Sequence, residues 1–317
     1  MGFRVLLTHQ LPDDVLEILC SSDLEIRVDI ALSALSQEDL HKACHSYDAM
    51  IILLSDRITA SMIENSRVQI IANYAVGYNN IDIEAAQKEG IIVSNTPDVL
   101  TDASADLAFA LLMSVARRMP EADTYCRNGQ FVSWDPLLML GADIAHQTLG
   151  IVGAGRIGSA VAKRATGFSM PMLYTSRSSK PEMDKLGAKR VHLAELLSQS
   201  DFVSLHTDLN PTTHHIINAQ ALQRMKPTAF LINTSRGSVI DEEALVLALE
   251  NGEIAGAGLD VFEDEPAIHP RLLQQKNVVL APHIGSATTS TRRKMAQMAA
   301  NNVVAVLRGK TAINPVY

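Results

Sequence analysis

The chain has 317 residues, of which 47% are apolar and 20% are charged, and its formal net charge is -8. This length suggests about two domains with full hydrophobic cores, and the composition excludes a disordered chain. An acidic protein without a run of Lys and Arg is a poor candidate for binding nucleic acid or an anionic membrane surface.

The cysteines and the apolar runs exclude further classes of protein. Cys20, Cys44 and Cys126 are widely spaced and odd in number, which argues against a disulfide scaffold and a zinc site. The longest apolar runs, such as residues 50–54, are too short to span a bilayer. The N-terminus has the pattern of a β-strand and not of a signal peptide. We therefore expect a cytoplasmic protein with no metal site.

Short β-rich runs alternate with helical patterns through the first part of the chain. Strands are predicted near residues 4–8, 49–54 and 91–95, and a helix is predicted from Pro12. This alternation of strand and helix patterns ends at residues 95–97. Strands that alternate with helices predict a parallel sheet covered on both faces.

A long helix is predicted from Thr101 to Arg118, and a second helical piece runs from Pro120 towards Asn128. The irregular stretch that follows, residues 129–145, carries the only tryptophan, Trp134. It either packs in the core or reaches a neighbouring subunit.

A second α/β series begins at Thr148, with a strand predicted over residues 189–193, and a last helix runs from about Thr288 to Arg308. The predicted fold class is α/β, with two Rossmann-like or flavodoxin-like domains and parallel sheets. A substrate domain of residues 1–98 plus 285–317 would contain an inserted dinucleotide-binding domain of residues 99–284.

A glycine pattern follows the first strand of this second series. Gly153, Gly155 and Gly158 have G-x-G-x-x-G spacing, and Arg156 and Ile157 lie between them. The spacing permits a tight turn, close approach of a pyrophosphate and tight helix packing, and the helix N-terminus attracts phosphate. The pattern predicts dinucleotide binding, with a purely structural turn as the alternative.

The end of the next strand predicts which dinucleotide is bound. An acidic residue there would hold the ribose 2′-hydroxyl of NAD, but the chain has Ser176, Arg177 and Lys180. Two cations suit a 2′-phosphate. NADP(H) is therefore the predicted cofactor, NAD(H) is the alternative coenzyme, and a solvated basic turn is the alternative interpretation.

Three later segments place polar residues at the predicted carboxyl ends of strands, where open α/β sheets bind ligands. They contain Arg236, Glu265 and His283. Each alone could be an ordinary turn or loop residue. Together, a cation, an acid and a base near one phosphate loop indicate a catalytic site.

These motifs resemble the D-isomer-specific 2-hydroxyacid dehydrogenases over nearly the whole chain. The similar segments are residues 73–86, 152–158, 231–266 and 281–288. Within that family the chain most resembles the glyoxylate/hydroxypyruvate reductases. The resemblance implies NADPH-dependent reduction of a small 2-keto acid to the D-2-hydroxy acid by hydride transfer, in a homodimer.

The resemblance and the chemistry assign the same catalytic roles. His283 would protonate the forming alkoxide, because histidine changes charge near neutral pH. Glu265 would orient the imidazole and favour its charged form. Arg236 would clamp the substrate carboxylate or carbonyl oxygen.

The resemblance also implies binding residues outside these three. The backbone of Val76 and Gly77 would bind the substrate carboxylate, although a plain β–α turn is the alternative, and Ser286 would also bind substrate. Thr207, Thr234 and Asp260 would contact the cofactor, although Asp260 could instead cap a turn.

Two other functions remain open at this stage. One is a dinucleotide-sensing interaction protein like the corepressor relatives of the family. The other is a related dehydrogenase for a different 2-hydroxy acid, such as phosphoglycerate or phosphite.

Overall fold

The computed structural model describes residues 2–317, which form two compact units. One unit contains the chain up to Leu100 together with Ser286–Tyr317, and the other is Thr101–Gly285. The sequence placed the corresponding boundaries at 98/99 and 284/285. The substrate-binding and dinucleotide-binding roles of the two parts stay predictions.

Strands of both units are short and mostly buried. In the first unit they are β1 (Phe3–Leu7), β2 (Ile26–Ile30), β3 (Ala49–Ile52), β4 (Ile70–Asn73) and β5 (Ile92–Ser94). In the second unit they are β6 (Leu149–Val152), β7 (Met172–Thr175), β8 (Lys189–Arg190), β9 (Phe202–Leu205), β10 (Phe230–Asn233), β11 (Gly256–Leu259) and β12 (Val278–Leu280).

Helices connect these strands. They are α1 (Asp14–Cys20), α2 (Gln37–Ser46), α3 (Ala60–Ile63), α4 (Ile83–Lys88), α5 (Thr101–Ala116), α6 (Met119–Arg127), α7 (Arg156–Ala165), α8 (Pro181–Lys185), α9 (Leu193–Gln199), α10 (Ala219–Gln223), α11 (Glu242–Glu250) and α12 (Thr289–Leu307). No helix within residues 2–317 is both long and apolar enough to cross a membrane.

Each unit contains one parallel sheet, which confirms the predicted fold class. The first unit has the order β2-β1-β3-β4-β5, which is the flavodoxin-like order. The second has the order β12-β11-β10-β9-β6-β7-β8, which is the Rossmann order extended by one strand. Its strand order reverses between β6 and β9, and ligands bind at the carboxyl ends of strands at such a point.

Small residues in β11 allow α5 to pack closely on the second sheet. A Cβ atom on Gly258 would lie 3.0 Å from the Cβ of Leu111, and one on Gly256 would lie 3.2 Å from a methyl group of Val115. The other side of α5 meets α7, where Arg164 binds Asp102 and Asp106 at 3.1 and 2.7 Å.

The structure corrects three details of the sequence prediction. The strand predicted over residues 189–193 contains only Lys189–Arg190. The long helix ends at Ala116, because Arg118 adopts the left-handed conformation before α6 begins. The prediction that Trp134 packs in the core is wrong, because its side chain is 80% exposed.

Candidate active site

The glycine loop joins β6 to α7 at the point where the strand order reverses. Gly153 has a positive φ of 95°, and a Cβ there would lie 2.5 Å from the carbonyl oxygen of His206. A Cβ on Gly158 would lie 2.2 Å from the carbonyl oxygen of Gly153, whereas a Cβ on Gly155 would meet nothing within 4 Å. Two glycines are therefore required by close backbone contacts, and the middle one leaves open space.

Two further observations show that these residues fit a dinucleotide. Gly155 is the N-cap of α7 and provides no side-chain hydrogen bond to the first turn, which starts with Arg156 and Ile157. The N–H groups of that turn, with the helix dipole, suit a pyrophosphate. The buried Thr234 hydroxyl has no hydrogen-bond partner within residues 2–317, and a buried polar group of this kind needs one.

The basic turn after β7 is held by a network of hydrogen bonds. The Arg190 guanidinium donates to the carbonyl oxygens of Ser176 and Arg177, at 3.0 and 3.1 Å. The Tyr174 hydroxyl accepts from the Lys180 N–H at 3.0 Å and donates to Asp184 at 2.9 Å. The Arg177 side chain is exposed, so a solvated turn and a phosphate site both remain consistent with this geometry.

His283 and Glu265 lie in direct contact in the second unit. His283 Nδ1 is 2.7 Å from Glu265 Oε2, and each side chain is 33% exposed. The other carboxylate oxygen of Glu265 accepts the N–H of Phe262 at 3.0 Å. Burial alone would raise the pKa of Glu265, but the hydrogen bond and charge of His283, with the Phe262 N–H and Arg236, lower it below its usual value. Glu265 is therefore ionised at neutral pH and orients the imidazole.

Asp260 fixes the turn that carries His283. Its buried carboxylate accepts the N–H groups of Ile284 and Gly285 at 2.7 and 2.8 Å, and its carbonyl oxygen accepts the N–H of His283. Burial raises the pKa of Asp260, and these two hydrogen bonds oppose that rise. The geometry is that of the turn cap considered as the alternative, and cofactor contact by Asp260 stays a prediction.

Arg236 follows β10 on a turn held by Asn233. The buried Asn233 amide donates to the Arg236 carbonyl oxygen at 2.9 Å, and its own oxygen accepts the Ser235 N–H at 3.0 Å. Burial lowers the pKa of Arg236, and the charge of Glu265 opposes this effect. Gly237 is required here, because a Cβ would lie 1.8 Å from the carbonyl carbon of Phe262. The loops that carry Arg236 and Glu265 are thus packed backbone against backbone.

In the first unit, the turn after β4 has three consecutive carbonyl groups with fixed donors. The Thr96 N–H binds the Ala75 carbonyl oxygen at 2.8 Å. The amides of Asn95 and Asn73 bind the carbonyl oxygens of Val76 and Gly77 at 2.8 and 2.7 Å.

In a trans peptide the C=O and the following N–H point in opposite directions. The N–H groups of Val76, Gly77 and Tyr78 therefore point away from these donors.

The remaining predicted residues occupy less decisive positions. The Thr207 N–H lies close to Gly153, since a Cβ on that glycine would be 2.8 Å from it. Ser286 is half-buried, and its carbonyl oxygen accepts the Thr288 N–H at 2.8 Å, just before α12.

The structure also adds three candidate residues that the sequence analysis missed, because their side chains bind the loops of predicted site residues: Asn73, Asn95 and Arg190. An asparagine at a strand end is a weak sequence signal for the two amides. Arg190 was not considered as a site residue, because residues 189–193 were predicted only as a strand.

The family model for the NAD-binding domain of D-isomer-specific 2-hydroxyacid dehydrogenases matches residues 109–285. The chain belongs to this family. It is therefore an NAD(P)-dependent dehydrogenase with a Rossmann-like domain, and a nicotinamide dinucleotide is its cofactor.

Similar proteins of this dehydrogenase family cover nearly the whole chain. A glyoxylate reductase of Thermococcus onnurineus is 50% identical over 313 residues, which are 97% of this chain and 93% of that protein. One from Korarchaeum cryptofilum is 49% identical over 317 residues, with 98% and 95% covered.

Solved structures agree. A Thermus thermophilus protein superposes with a TM-score of 0.92 at 45% identity and covers 99% of this chain and 100% of its own. An NADPH-dependent glyoxylate/hydroxypyruvate reductase of Sinorhizobium meliloti, in complex with NADP and malonate, has a TM-score of 0.88 at 32% identity, with 100% and 97% covered.

Proposed function

We propose that this dehydrogenase uses NADPH to reduce a small 2-keto acid, glyoxylate or hydroxypyruvate, to the D-2-hydroxy acid (glycolate in the case of glyoxylate). The observation that carries the proposal is the 2.7 Å contact between His283 and Glu265. Glyoxylate reductases that are 45–50% identical to the chain support the choice of substrate.

The proton donor of the reaction is His283. When bound, the coenzyme supplies the hydride that adds to the carbonyl carbon. Since Nδ1 faces Glu265, Nε2 is the nitrogen that gives its proton to the carbonyl oxygen. The contact of Nδ1 with the Glu265 carboxylate holds the ring in one orientation.

Arg236 binds the carbonyl oxygen or the carboxylate of the substrate. Its guanidinium is a planar fork that fixes an anionic group in two directions. Burial strengthens this interaction, because the charge is little screened by water. The Asn233 hydrogen bonds and the contact at Gly237 hold the turn that carries it.

In the first unit, the N–H groups of Val76 and Gly77 bind the substrate carboxylate. The three carbonyl contacts made by Thr96, Asn95 and Asn73 support this role, since they orient the N–H groups before any ligand arrives.

NADPH is the preferred coenzyme. Ser176, Arg177 and Lys180 supply a hydroxyl and two cations where an NAD enzyme has an acidic residue, and the Arg190 hydrogen bonds fix their turn. Thr207, Thr234 and Asp260 contact the rest of the coenzyme. The similar reductase of Sinorhizobium meliloti is NADPH-dependent, which supports the same preference.

The chain forms a homodimer in the cytoplasm. Exposed apolar side chains between α6 and β6 support the dimer: Phe131, Val132, Trp134, Leu137 and Leu140 are each 57% exposed or more. A patch of this kind marks an interaction site. Light scattering would measure the mass of the protein in solution. If dimer formation buries Trp134, the only tryptophan in the sequence, its fluorescence emission should shift to the blue.

The decisive experiment follows NADPH absorbance with a panel of 2-keto acids. Glyoxylate and hydroxypyruvate should be reduced faster than pyruvate, and NADPH should have a higher kcat/KM than NADH. Faster turnover of a different acid would identify that acid as the substrate instead. Binding of NADPH without oxidation by any acid would favour a dinucleotide-sensing interaction protein.

A further inference from the structure

Two adjacent histidines and a glutamate form a cluster in the second unit, apart from the His283–Glu265 pair. The nearest ligand atoms of His214, His215 and Glu263 all lie within 4.8 Å of one another. His215 Nε2 is 2.6 Å from Glu263 Oε1, and the two imidazole rings stack with their centroids 3.9 Å apart. Both histidines therefore present ring nitrogens beside one carboxylate.

The backbone around the cluster is already fixed. His215 has a positive φ of 49°, and its N–H donates to the Ser238 carbonyl oxygen at 2.9 Å. On the opposite side, the second oxygen of Glu263 accepts the N–H of Glu242 at 3.4 Å. Little further ordering would be needed to bring the side chains onto one ion, which lowers the cost of binding.

The charge near the cluster is negative. Glu263 and Asp264 are consecutive, and the negative charges of both raise the pKa of the buried Glu242. Arg271 pairs with Glu243 and Glu250. A cation at the cluster would therefore gain from several carboxylates.

We propose that His214, His215 and Glu263 bind one divalent transition-metal ion, with Zn²⁺ as the typical case. Two imidazoles and a carboxylate are ligands that zinc, nickel and cobalt accept, whereas magnesium and calcium prefer sites made of oxygen alone. The ion would replace the 2.6 Å hydrogen bond and sit about 2.0–2.2 Å from each ligand atom, with water completing its coordination.

This proposal changes the expectation from sequence that the chain has no metal site. That expectation rested on the cysteines, and the adjacent histidines of residues 214–215 were not considered. The site is independent of the proposed reaction, since none of its ligands takes part in the chemistry assigned to His283, Glu265 and Arg236.

A second histidine pair provides a matched control. His41 and His45 lie one turn apart on α2, with ring centroids 4.7 Å apart. The His45 nitrogens face the carbonyl oxygens of His41 and Glu64, at 2.9 and 3.2 Å, and no carboxylate joins the pair in a cluster within residues 2–317. His41→Ala thus removes an exposed histidine without touching the proposed ligands.

The test is calorimetric titration of the full chain, freed of metal with a chelator and dialysed, with ZnCl₂. We expect one equivalent of tight binding, weakened at least tenfold in both His214→Ala and Glu263→Gln and unchanged in His41→Ala. Absence of tight binding, or its loss in His41→Ala alone, would overturn the proposal. Circular dichroism checks that each variant is folded.

Cobalt gives a second readout that does not depend on affinity. Co²⁺ bound to the cluster should show visible absorption bands that vanish in His214→Ala and survive in His41→Ala. Bands unchanged in His214→Ala would place the ion elsewhere. MgCl₂ should give no comparable heat, and equally tight binding of Mg²⁺ would contradict the assigned class of metal.

Discussion

The backbone N–H of His283 donates to the carbonyl oxygen of Asp260 at 2.9 Å. Because the carboxylate of the same aspartate accepts the next two N–H groups, one buried side chain holds the whole turn. His283 has a φ of 54°, a conformation that a histidine adopts at some cost. Asp260 supplies the hydrogen bonds that offset this cost.

We first predict that Asp260→Asn lowers kcat roughly 100-fold, since an amide would turn a donor towards the N–H of Ile284 or Gly285 and displace the imidazole. The KM for NADPH should rise by a smaller factor, since Asp260 is only one of several residues proposed to contact the coenzyme. Steady-state kinetics distinguishes the two roles considered for this residue. A large rise in that KM with kcat preserved would show that Asp260 acts mainly on the coenzyme.

Glu265→Gln should lower kcat roughly 100-fold, because the His283 ring would lose the partner that orients it. The lowered pKa of Glu265 keeps its carboxylate ionised at neutral pH, and this carboxylate contacts Nδ1 of His283 at 2.7 Å. An amide at this position is a weaker acceptor and can present its NH2 group to the ring instead. The KM for NADPH should stay close to that of the native protein, and steady-state kinetics measures both values. An unchanged kcat would contradict the role given to the pair.

Asn95→Ala should raise the KM for the keto acid about tenfold, or ~1.4 kcal/mol, because the Val76 peptide loses the hydrogen bond that orients it. The value of kcat and the KM for NADPH should stay close to those of the native protein. Kinetics at saturating NADPH measures the effect, and Asn301→Ala, on the exposed side of α12, is the control. Equal KM values in the two variants would argue against binding of the substrate carboxylate by the Val76 and Gly77 N–H groups.

Arg190→Ala should reduce the preference for NADPH over NADH, since the turn of Ser176 and Arg177 loses three hydrogen bonds from one guanidinium. A tenfold rise in the KM for NADPH is expected, with little effect on NADH. The neighbouring Lys189→Ala is a matched control, because Lys189 is exposed and its ammonium group lies 3.8 Å from Glu195. The same loss in both variants would point to general destabilisation of β8.

Cys44 should be protected from thiol reagents. Burial raises the pKa of its thiol to about 11 from 9.0, whereas Cys20 and Cys126 are exposed. Two thiols should react rapidly at neutral pH, and the third only on unfolding.

The sign of the accompanying stability change follows from the same shift. The unfolded thiol ionises first, so this contribution to the free energy of unfolding is complete below pH 9 and declines as the pH rises towards 11. Cys44→Ala should weaken that decline in denaturant titrations. A steeper decline in the variant would contradict the assignment.

The sequence predicted features whose cause is local. Strands such as Ala49–Ile52 are continuous apolar runs, and the spacing of Gly153, Gly155 and Gly158 reflects backbone contacts along a few consecutive residues. His283 and Glu265 were predicted because each ends or follows a strand, and parallel strands bring their carboxyl ends to one edge of a sheet.

Other parts of the site depend on directions in space that a linear pattern does not contain. Asn95 donates a hydrogen bond to the carbonyl oxygen of Val76, and Arg190 donates hydrogen bonds to two carbonyl oxygens of another loop. Neither function follows from residue type. Strand length was also overestimated at residues 189–193, since β8 lies at the edge of the sheet and pairs with β7 only at Lys189 and Arg190.

The discontinuous first unit determines the order in which the chain can fold during synthesis. Helix α12 packs on α1 and on β3, β4 and β5, yet it is made after the whole of Thr101–Gly285. While the ribosome translates that middle part, the early sheet lacks the helix that packs on β3, β4 and β5. The inserted unit can complete its own core first, and the N-terminal strands must wait for the last helix to emerge, exposed meanwhile to aggregation or to chaperones.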